Sequence, residues 1–485
     1  MSWRPSFRLL ALMGLAALPL LAACETAPGT GRTIFTGGMS AEDESRLGYQ
    51  EHQKILPQFG GAYADPALVG YVASIGNLLA RTSETPGTKF TFTVLDTPIV
   101  NAFALPGGYV YVTRGLLALA DNEAEVAGVL AHEIGHVTAR HSAERYGQTM
   151  AANVLGLGLG LLLGRGPATD LYSAVAGVAL RSYSREQEYE SDLLGVRYMA
   201  RAGFDPGAMA SFLSRLQAHS RFESELRGEP GKADRFDILQ THPRTADRIA
   251  RAIQQAGART VADPITARDL YLDKIDGLLY GDNPKQGFVR GRRFLHPELR
   301  FAFEVPPGYR LFNGAERVTA RGPEGATIAF EKSKQAAPGA MTAYLTRVWA
   351  KGVALDEVEE LTVNGMAAAT GHAQGRASDL RLVAIRYDRQ TVYHMIFETP
   401  LRVAGTLSRG LRETTYSFRK LSAAEAAGFK PLRLRIYRSG ARETAAQIAA
   451  RMPFQDHRLR RFLVLNGLSR DQSFPTGYRL KIVTE

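Results

Sequence analysis

The sequence predicts an α+β chain: a mainly helical amino-terminal domain with a small β-sheet, an α+β domain behind it, and a short strand–helix–helix–strand piece at the end. Length is the first reason, because 485 residues exceed what one ordinary hydrophobic core holds. Periodicity is the second: apolar residues recur at helical spacing over most of residues 40–256, whereas short strand-like runs take over after residue 257. Composition is the third, since 45% hydrophobic and 22% charged residues describe a globular protein, neither a disordered chain nor an integral membrane bundle.

The first residues read as an export signal. Arg4 and Arg8 precede an apolar run from Leu9 to Leu21, too short and too Ala-rich for a membrane span. Leu21-Ala22-Ala23-Cys24 resembles the bacterial lipobox, whose cysteine becomes the lipidated first residue of the mature protein. Cys24 is also the single cysteine of the chain, so no internal disulfide can form. The resemblance implies a lipid anchor at Cys24 that holds the protein on a membrane by burial of its acyl chains. Glu25 stands where an Asp would resemble an inner-membrane retention signal, which points to the outer membrane of a bacterial cell envelope, facing the periplasm. Removal of residues 1–23, which hold Arg4, Arg8 and no acid, takes the formal charge from +11 to +9. The basic residues are scattered, which suits a phospholipid surface and gives nucleic acid no binding motif.

Residues 24–40 are rich in Gly, Pro and Thr and read as a flexible tether. Ser40, with Glu42, Asp43 and Glu44 behind it, reads as a helix start. Pro66 to Arg81 reads as a second helix, with Leu68, Val72, Ile75 and Leu79 at helical spacing. Residues 89–95 and 109–112 read as strands, and between them Asn101 to Gly108 is strand-like and then turn-like. Asp121 or Asn122 starts the next helix, with Glu125 closing a capping box. Residues 151–163 are very apolar and Gly-rich, and read as a buried helix ahead of a membrane-dipping lid. Helices are expected over 171–200, 206–219 and 245–256 with a polar loop at 222–240, which completes a domain at 41–256 followed by a linker at 257–286. Over 287–422, strand patterns at 299–305, 316–332, 380–387 and 391–398 and a helix near 340–351 make an α+β domain with no assigned role.

The helix after Asn122 carries His132-Glu133-Ile134-Gly135-His136. Residues four apart share a helix face, so His132 and His136 offer imidazole nitrogens to one ion. Glu133 lies too far round to join them and is placed to hold the attacking water and take its proton. This set suits one Zn2+ per chain, and a catalytic zinc takes a third protein ligand. The best source is the stretch from Ser184 to Asp192, where Glu188 and Asp192 share a face: Glu188 to bind the metal, Asp192 to accept the other ring N–H of a ligand histidine. Glu186 and Glu190 are rivals that spacing does not exclude. His141, five residues past His136, lies off the ligand face and reads as structural or as a partner of a ligand.

His132–His136, the Glu188…Asp192 pair and the segment Asn101-Ala102-Phe103-Ala104-Leu105-Pro106-Gly107-Gly108 together resemble the gluzincin zinc metallopeptidase family of CAAX prenyl proteases, HtpX and BepA, over about residues 40–255. The resemblance implies a zincin metallopeptidase domain in which Glu188, of the three candidates, is the third zinc ligand. It implies that Asn101, Ala102, Phe103 and Ala104 lie on an edge strand that pairs with an extended substrate. His242, within Thr241-His242-Pro243, matches a family position near the metal, where it steadies the oxyanion or latches the open zinc position. The membrane members' transmembrane helices have no counterpart after the signal, so the chain resembles the soluble periplasmic branch and prenylated peptides are poor substrate candidates.

From Leu432 the order is strand, helix, helix, strand. Asn466-Gly467-Leu468 and the run from Gly477 to Ile482 resemble the LysM module, which binds peptidoglycan. Arg442-Glu443-Thr444 stands where that family has Gly-Asp-Thr, so only Thr444 matches. A degenerate LysM-like module at 430–485 thus implies either peptidoglycan binding or a role in folding and protein contact. The whole pattern reads as a lipid-anchored zinc endopeptidase that cuts protein and peptide substrates in envelope quality control. The alternative is a chaperone-like or peptidoglycan-bound scaffold with a latched zinc site; the intact Glu133 weighs against it, because a scaffold has no need of that base. A zinc-dependent peptidoglycan hydrolase rests on the terminal module alone.

Overall fold

A computed structural model describes residues 24–162, 183–226, 261–470 and 472–485, with Ile238, His242, Ala250 and Gln254, and gives 152–162 as backbone. The expected signal peptide, the side chains of most of the 151–163 run, the first part of the 171–200 helix, most of the 222–240 loop and the 245–256 helix lie outside the described residues. The protein is of α+β type and divides into two compact units. The first takes the described residues up to Leu56, those between Ala62 and Leu278, and Leu434–Thr484; the second takes Pro57–Gly61 and Leu279–Arg433.

The first unit runs β1 (Cys24–Thr26), β2 (Thr33–Phe35), α1 (Ala41–Gln58), α2 (Pro66–Arg81), β3 (Thr91–Leu95), β4 (Ala102–Leu105), β5 (Tyr109–Thr113), α3 (Arg114–Leu119), α4 (Glu123–Thr138), α5 (His141–Leu162), α6 (Arg185–Arg201), α7 (Ala208–Leu226) and α8 (Arg268–Ile275). Its helix starts are written in short polar side chains. Ser40 and Asp43 cap α1 reciprocally, hydroxyl to N–H at 3.1 Å and carboxylate to N–H at 3.2 Å. Asp65 accepts from the N–H groups of Ala67 and Leu68 ahead of Pro66. For α4 the cap is Asn122, which accepts the Glu125 N–H at 2.8 Å, while the Glu125 carboxylate takes the N–H of Asp121. Ser184 and Gln187 form a capping box at the head of α6.

Three strands form the small sheet in the order β3, β5, β4, with β5 parallel to β3 and antiparallel to β4. Strand β4 therefore lies at the sheet edge among the described residues. Gly107 and Gly108 turn the chain between β4 and β5 with φ of +76° and +85°, and a Cβ on Gly108 would meet the Lys89 carbonyl oxygen at 2.3 Å.

The stretch expected as a free tether is structured. β1 and β2 pair antiparallel with Cys24 opposite Phe35, and Ala27 and Ile34 are buried. Charge holds the hairpin down: Arg32 pairs with Glu144 at 2.7 Å, and Arg140 pairs with Glu25 and with Glu44 and donates to the Met39 carbonyl. Gly, Pro and Thr content signals turns here, and a tight hairpin uses the same residues as a loose linker.

In the second unit, a seven-stranded antiparallel sheet has the order 310–313, 317–321, 327–332, 392–400, 378–386, 366–374, 356–363, and a four-stranded sheet holds 288–290, 293–296, 301–304 and 419–420. Phe301, Phe303, Phe330, Tyr393 and Phe418 fill its core. The helix expected near 340–351 is a short α-turn, Met341–Tyr344, that continues as a π-helix over Leu345–Trp349. Strands 356–363 and 366–374 escaped the sequence pattern because one is Glu-rich and mostly exposed and the other is built largely of Ala, a weak strand former.

The carboxyl-terminal piece shows strand Leu432–Arg438, helices Ala445–Ala449 and Arg458–Asn466, and strand Arg479–Thr484. Thr444 caps the first of these helices, accepting from the Gln447 N–H. Residues 434–484 belong to the first unit through a buried cation. The Lys481 ammonium donates to the carbonyls of Ala118, Leu119 and Ala120 at 3.0, 2.9 and 2.7 Å, plugging the end of α3 just before the cap of α4. Burial pushes its pKa down to about 7 against the upward pull of Asp121. No helix of the described residues is long and apolar enough to cross a membrane.

Lys481→Ala strands three buried carbonyls at that helix end. It is expected to lower stability by about 3 kcal/mol, read by chemical denaturation of the full chain; an unchanged midpoint would refute the plug.

Candidate metal centre

Helices α4 and α6 cross with almost nothing between their backbones. A Cβ on Gly135 would meet the Ser191 carbonyl oxygen at 3.0 Å and its Cα at 3.2 Å, and one on Gly195 would meet the His132 backbone nitrogen at 3.2 Å. This approach carries His132 and His136 of α4 onto Glu188 and Asp192 of α6. His132 Nε2 lies 3.0 Å from His136 Nε2. A Glu188 oxygen stands 3.3 Å from His136 Nε2, and the other is 3.7 Å from His132 Nε2. His242 Nδ1 comes within 2.8 Å of Glu188 and 3.4 Å of His132 Nε2. All four side chains are buried, and one donor atom from each falls within 4.8 Å of the others.

The surroundings orient these groups. Asp192 stands 2.9 Å from His132 Nδ1 and His141 stands 2.8 Å from His136 Nδ1, so each ligand candidate has its outer nitrogen engaged and its inner nitrogen turned to the centre. A carboxylate 2.9 Å from Nδ1 favours the ring proton on that nitrogen, and His132 Nε2 then presents a lone pair toward the Glu188 oxygens and a second imidazole. Such facing lone pairs repel unless a cation lies among them. Burial pushes the His136 pKa well below its ordinary value, against the pull of Glu188, so the ring is neutral. Burial also pushes Glu188 up, but His242, His136 and His132 together hold it well below the carboxylate range. Imidazole nitrogens converging on an ionised carboxylate fit a metal ion.

The remaining expected residues fall as follows. Glu133 is fully buried beside the cluster, with its Oε1 3.7 Å from His242 Nε2. Of the two rivals of Glu188, Glu186 is exposed, and Glu190 points at His141 with 3.2 Å between oxygen and Nε2. Asn101 is buried and caps the start of β4 by accepting the Ala102 N–H at 2.8 Å; Ala102, Phe103 and Ala104 lie on β4, which packs against α4. Cys24 is exposed at the start of β1.

Tyr183 escaped the sequence reading. Its ring lies flat on His136, centroids 3.7 Å apart, and the Arg145 guanidinium covers its far face at 3.8 Å. Only its place just ahead of the Ser184 cap could have hinted that it would enter the centre with Glu188.

The comparisons with known proteins agree with this geometry. Residues 66–256 match the model of Peptidase family M48. An M48 peptidase domain occupies this part of the chain. The Beta-barrel assembly-enhancing protease of Escherichia coli (strain K12) is 32% identical over 219 residues, which cover 43% of this chain and 43% of that protein. Its Yersinia pestis counterpart is 33% identical over 227 residues, 45% of each chain. The Mitochondrial metalloendopeptidase OMA1 of Schizosaccharomyces pombe is 30% identical over 231 residues, 47% of this chain and 65% of that one. The chain thus spans less than half the length of these bacterial relatives.

Gly135→Ala forces α4 off the Ser191 backbone, which cannot yield as a flexible side chain would. It is expected to cost about 1–3 kcal/mol in the metal-free protein and to weaken metal binding in a chelator competition. Gly70→Ala on α2, where a Cβ meets nothing within 4 Å, serves as the unobstructed control and should stabilise by about 1 kcal/mol through helix propensity; equal behaviour of the two would show that the helix approach is not what builds the site.

Proposed function

We propose that the chain is a zinc-dependent endopeptidase that hydrolyses peptide bonds of envelope proteins in periplasmic or outer-membrane quality control. The observation that carries this proposal is a carboxylate, Glu133, buried beside the cluster that His132, His136 and Glu188 form with His242. Zinc suits this nitrogen and oxygen donor set, and when bound it supplies Lewis-acid polarisation of a carbonyl oxygen and makes water acidic enough to ionise near neutral pH. His132, His136 and Glu188 hold the ion. Asp192 keeps the His132 ring turned inward. Glu133 holds the attacking water, receives its proton and returns it to the leaving amine. Strand β4, with Asn101 at its head, offers backbone groups along Ala102, Phe103 and Ala104 to an extended substrate.

Cys24 carries the lipid anchor, which sets the protein on the periplasmic face of the outer membrane. The strand–helix–helix–strand end is LysM-like in its order, and the fixed packing through Lys481 favours a role in folding over free capture of peptidoglycan.

One observation supports a second, latched state. The His242 Nδ1 atom lies inside the donor cluster, 2.8 Å from Glu188, so it would be a fourth protein donor to an ion held there, where a catalytic zinc takes three.

The test uses the mature chain with Cys24→Ser, zinc analysis and casein cleavage. One zinc per chain is expected, with cleavage lost to a chelator and regained on zinc addition. Glu133→Gln should keep the zinc and lose about 10²–10⁴-fold in kcat; cleavage that survives the change defeats the mechanism. His242→Ala should raise cleavage if the histidine latches the site, and a fall would assign it to the oxyanion instead.

A further inference from the structure

We propose that the amino-terminal hairpin β1–β2 is a strut of the metal centre, and that Arg32 and Glu190 are positioning residues which fix the tautomer of His136. The inference rests on the assignment of His136 as a metal ligand. It starts from two facts the peptidase chemistry does not use: a hairpin docked where a loose tether was expected, and a buried carboxylate, Glu190, that stands off the ligand set.

The contacts form one chain. Arg32 Nε donates to Glu190 at 3.0 Å, and the Thr30 hydroxyl donates to the other Glu190 oxygen. The oxygen that meets Arg32 lies 3.2 Å from His141 Nε2, and His141 Nδ1 lies 2.8 Å from His136 Nδ1. A guanidinium can only donate and an ionised carboxylate can only accept. Glu190 therefore accepts from His141 Nε2, and a neutral His141, the form that a His136 bound to metal through Nε2 requires of its neighbour, has its Nδ1 left with a lone pair. That lone pair accepts the N–H of His136 Nδ1, and His136 Nε2 is left to face the centre. The choice is made at Glu190 and transmitted through His141.

Arg32 does more than hold one oxygen. Its two terminal nitrogens meet both oxygens of Glu144 on α5 at 2.7 and 2.8 Å, and the Glu144 carboxylate also accepts from Gln187 at 2.7 Å. Gln187 belongs to the cap of α6 and directly precedes Glu188. One guanidinium from the hairpin thus ties the start of α5, which carries His141, to the start of α6, which carries Glu188. His132 needs nothing of this kind, because Asp192 holds it directly at 2.9 Å. The two histidines are oriented by different means, and only one of them depends on residues a few positions from Cys24.

The test measures Zn2+ affinity by chelator competition and the visible spectrum of the Co2+-loaded chain, with metal-free melting followed in parallel. Arg32→Ala and Glu190→Ala are expected to raise the metal Kd about 10–100-fold and to shift the Co2+ bands. Glu190→Gln keeps an acceptor oxygen for His141 and should recover most of the loss. Unchanged Kd and spectrum in both alanine variants, or a loss as large in Glu190→Gln as in Glu190→Ala, overturns the proposal. If Arg32→Ala melts near the working temperature, Arg32→Lys replaces it: the charge stays, the paired fork goes, and the same rise in Kd is expected, its absence counting against the strut. A parent chain that binds metal and cuts nothing removes the peptidase reading alone, since these readouts need no turnover; a parent that binds neither ion removes both.

Discussion

Everything at the metal centre depends on how closely α4 and α6 approach. Imidazole and carboxylate side chains are short, and four donor atoms converge on one point only if the backbones that carry them nearly touch. Gly135 against Ser191, and Gly195 against the His132 backbone, supply that closeness. A larger residue at either place would separate the helices by a few tenths of an ångström, and because both walls are backbone, the separation would pass undiminished to His132 and Glu188. The rest of the first unit can be seen as holding this crossing at a fixed height and register: caps at Asn122 and Ser184 set where each helix begins, and Lys481 closes the helix that delivers the chain to Asn122.

Burying so many polar groups at one crossing is expensive unless each is matched. The protein meets this by placing a partner behind each histidine, and one of the two series reaches the surface. His132 leads to Asp192. His136 leads to His141, then Glu190, then Arg32 at the half-exposed surface. The inner nitrogens are the exception: they face one another and a carboxylate, and only a cation satisfies them together. Tyr183 and Arg145 cover the His136 face with a flat stack, which fixes the plane of the ring and so the direction of its Nε2 lone pair.

What the sequence disclosed follows from distance along the chain. His132, Glu133 and His136 were legible because a helix period alone puts two of them on one face, and Glu188 with Asp192 repeats the same rule. Helix 66–81 was legible from its apolar spacing and from Pro66 at its start, which the Asp65 cap precedes. The part played by Glu190 was not. It is set by an arginine 158 positions earlier, and no local pattern reports such a contact. The hairpin was misread for a related reason: Gly, Pro and Thr mark a turn and a linker alike, and only the facing charges of Glu144 and Arg140 decide between them. In the second unit the Ala-rich strand 366–374 gains its place from its neighbours on both sides, not from its own propensity.

A four-donor cluster and a peptidase make opposite demands. A closed set suits a structural ion, whereas hydrolysis needs one position free. With His242 as the latch, the conflict becomes an equilibrium, and its size follows from the bond that must break. A hydrogen bond to a charged group contributes about 1.5–3 kcal/mol, so a latch held by the His242–Glu188 contact alone would leave an open fraction of roughly one in ten to one in a hundred and would scale the rate by that fraction. An extended chain that binds better when His242 is withdrawn would then create the active site by its own arrival. A folded protein, offering no free strand to β4, would leave the site shut.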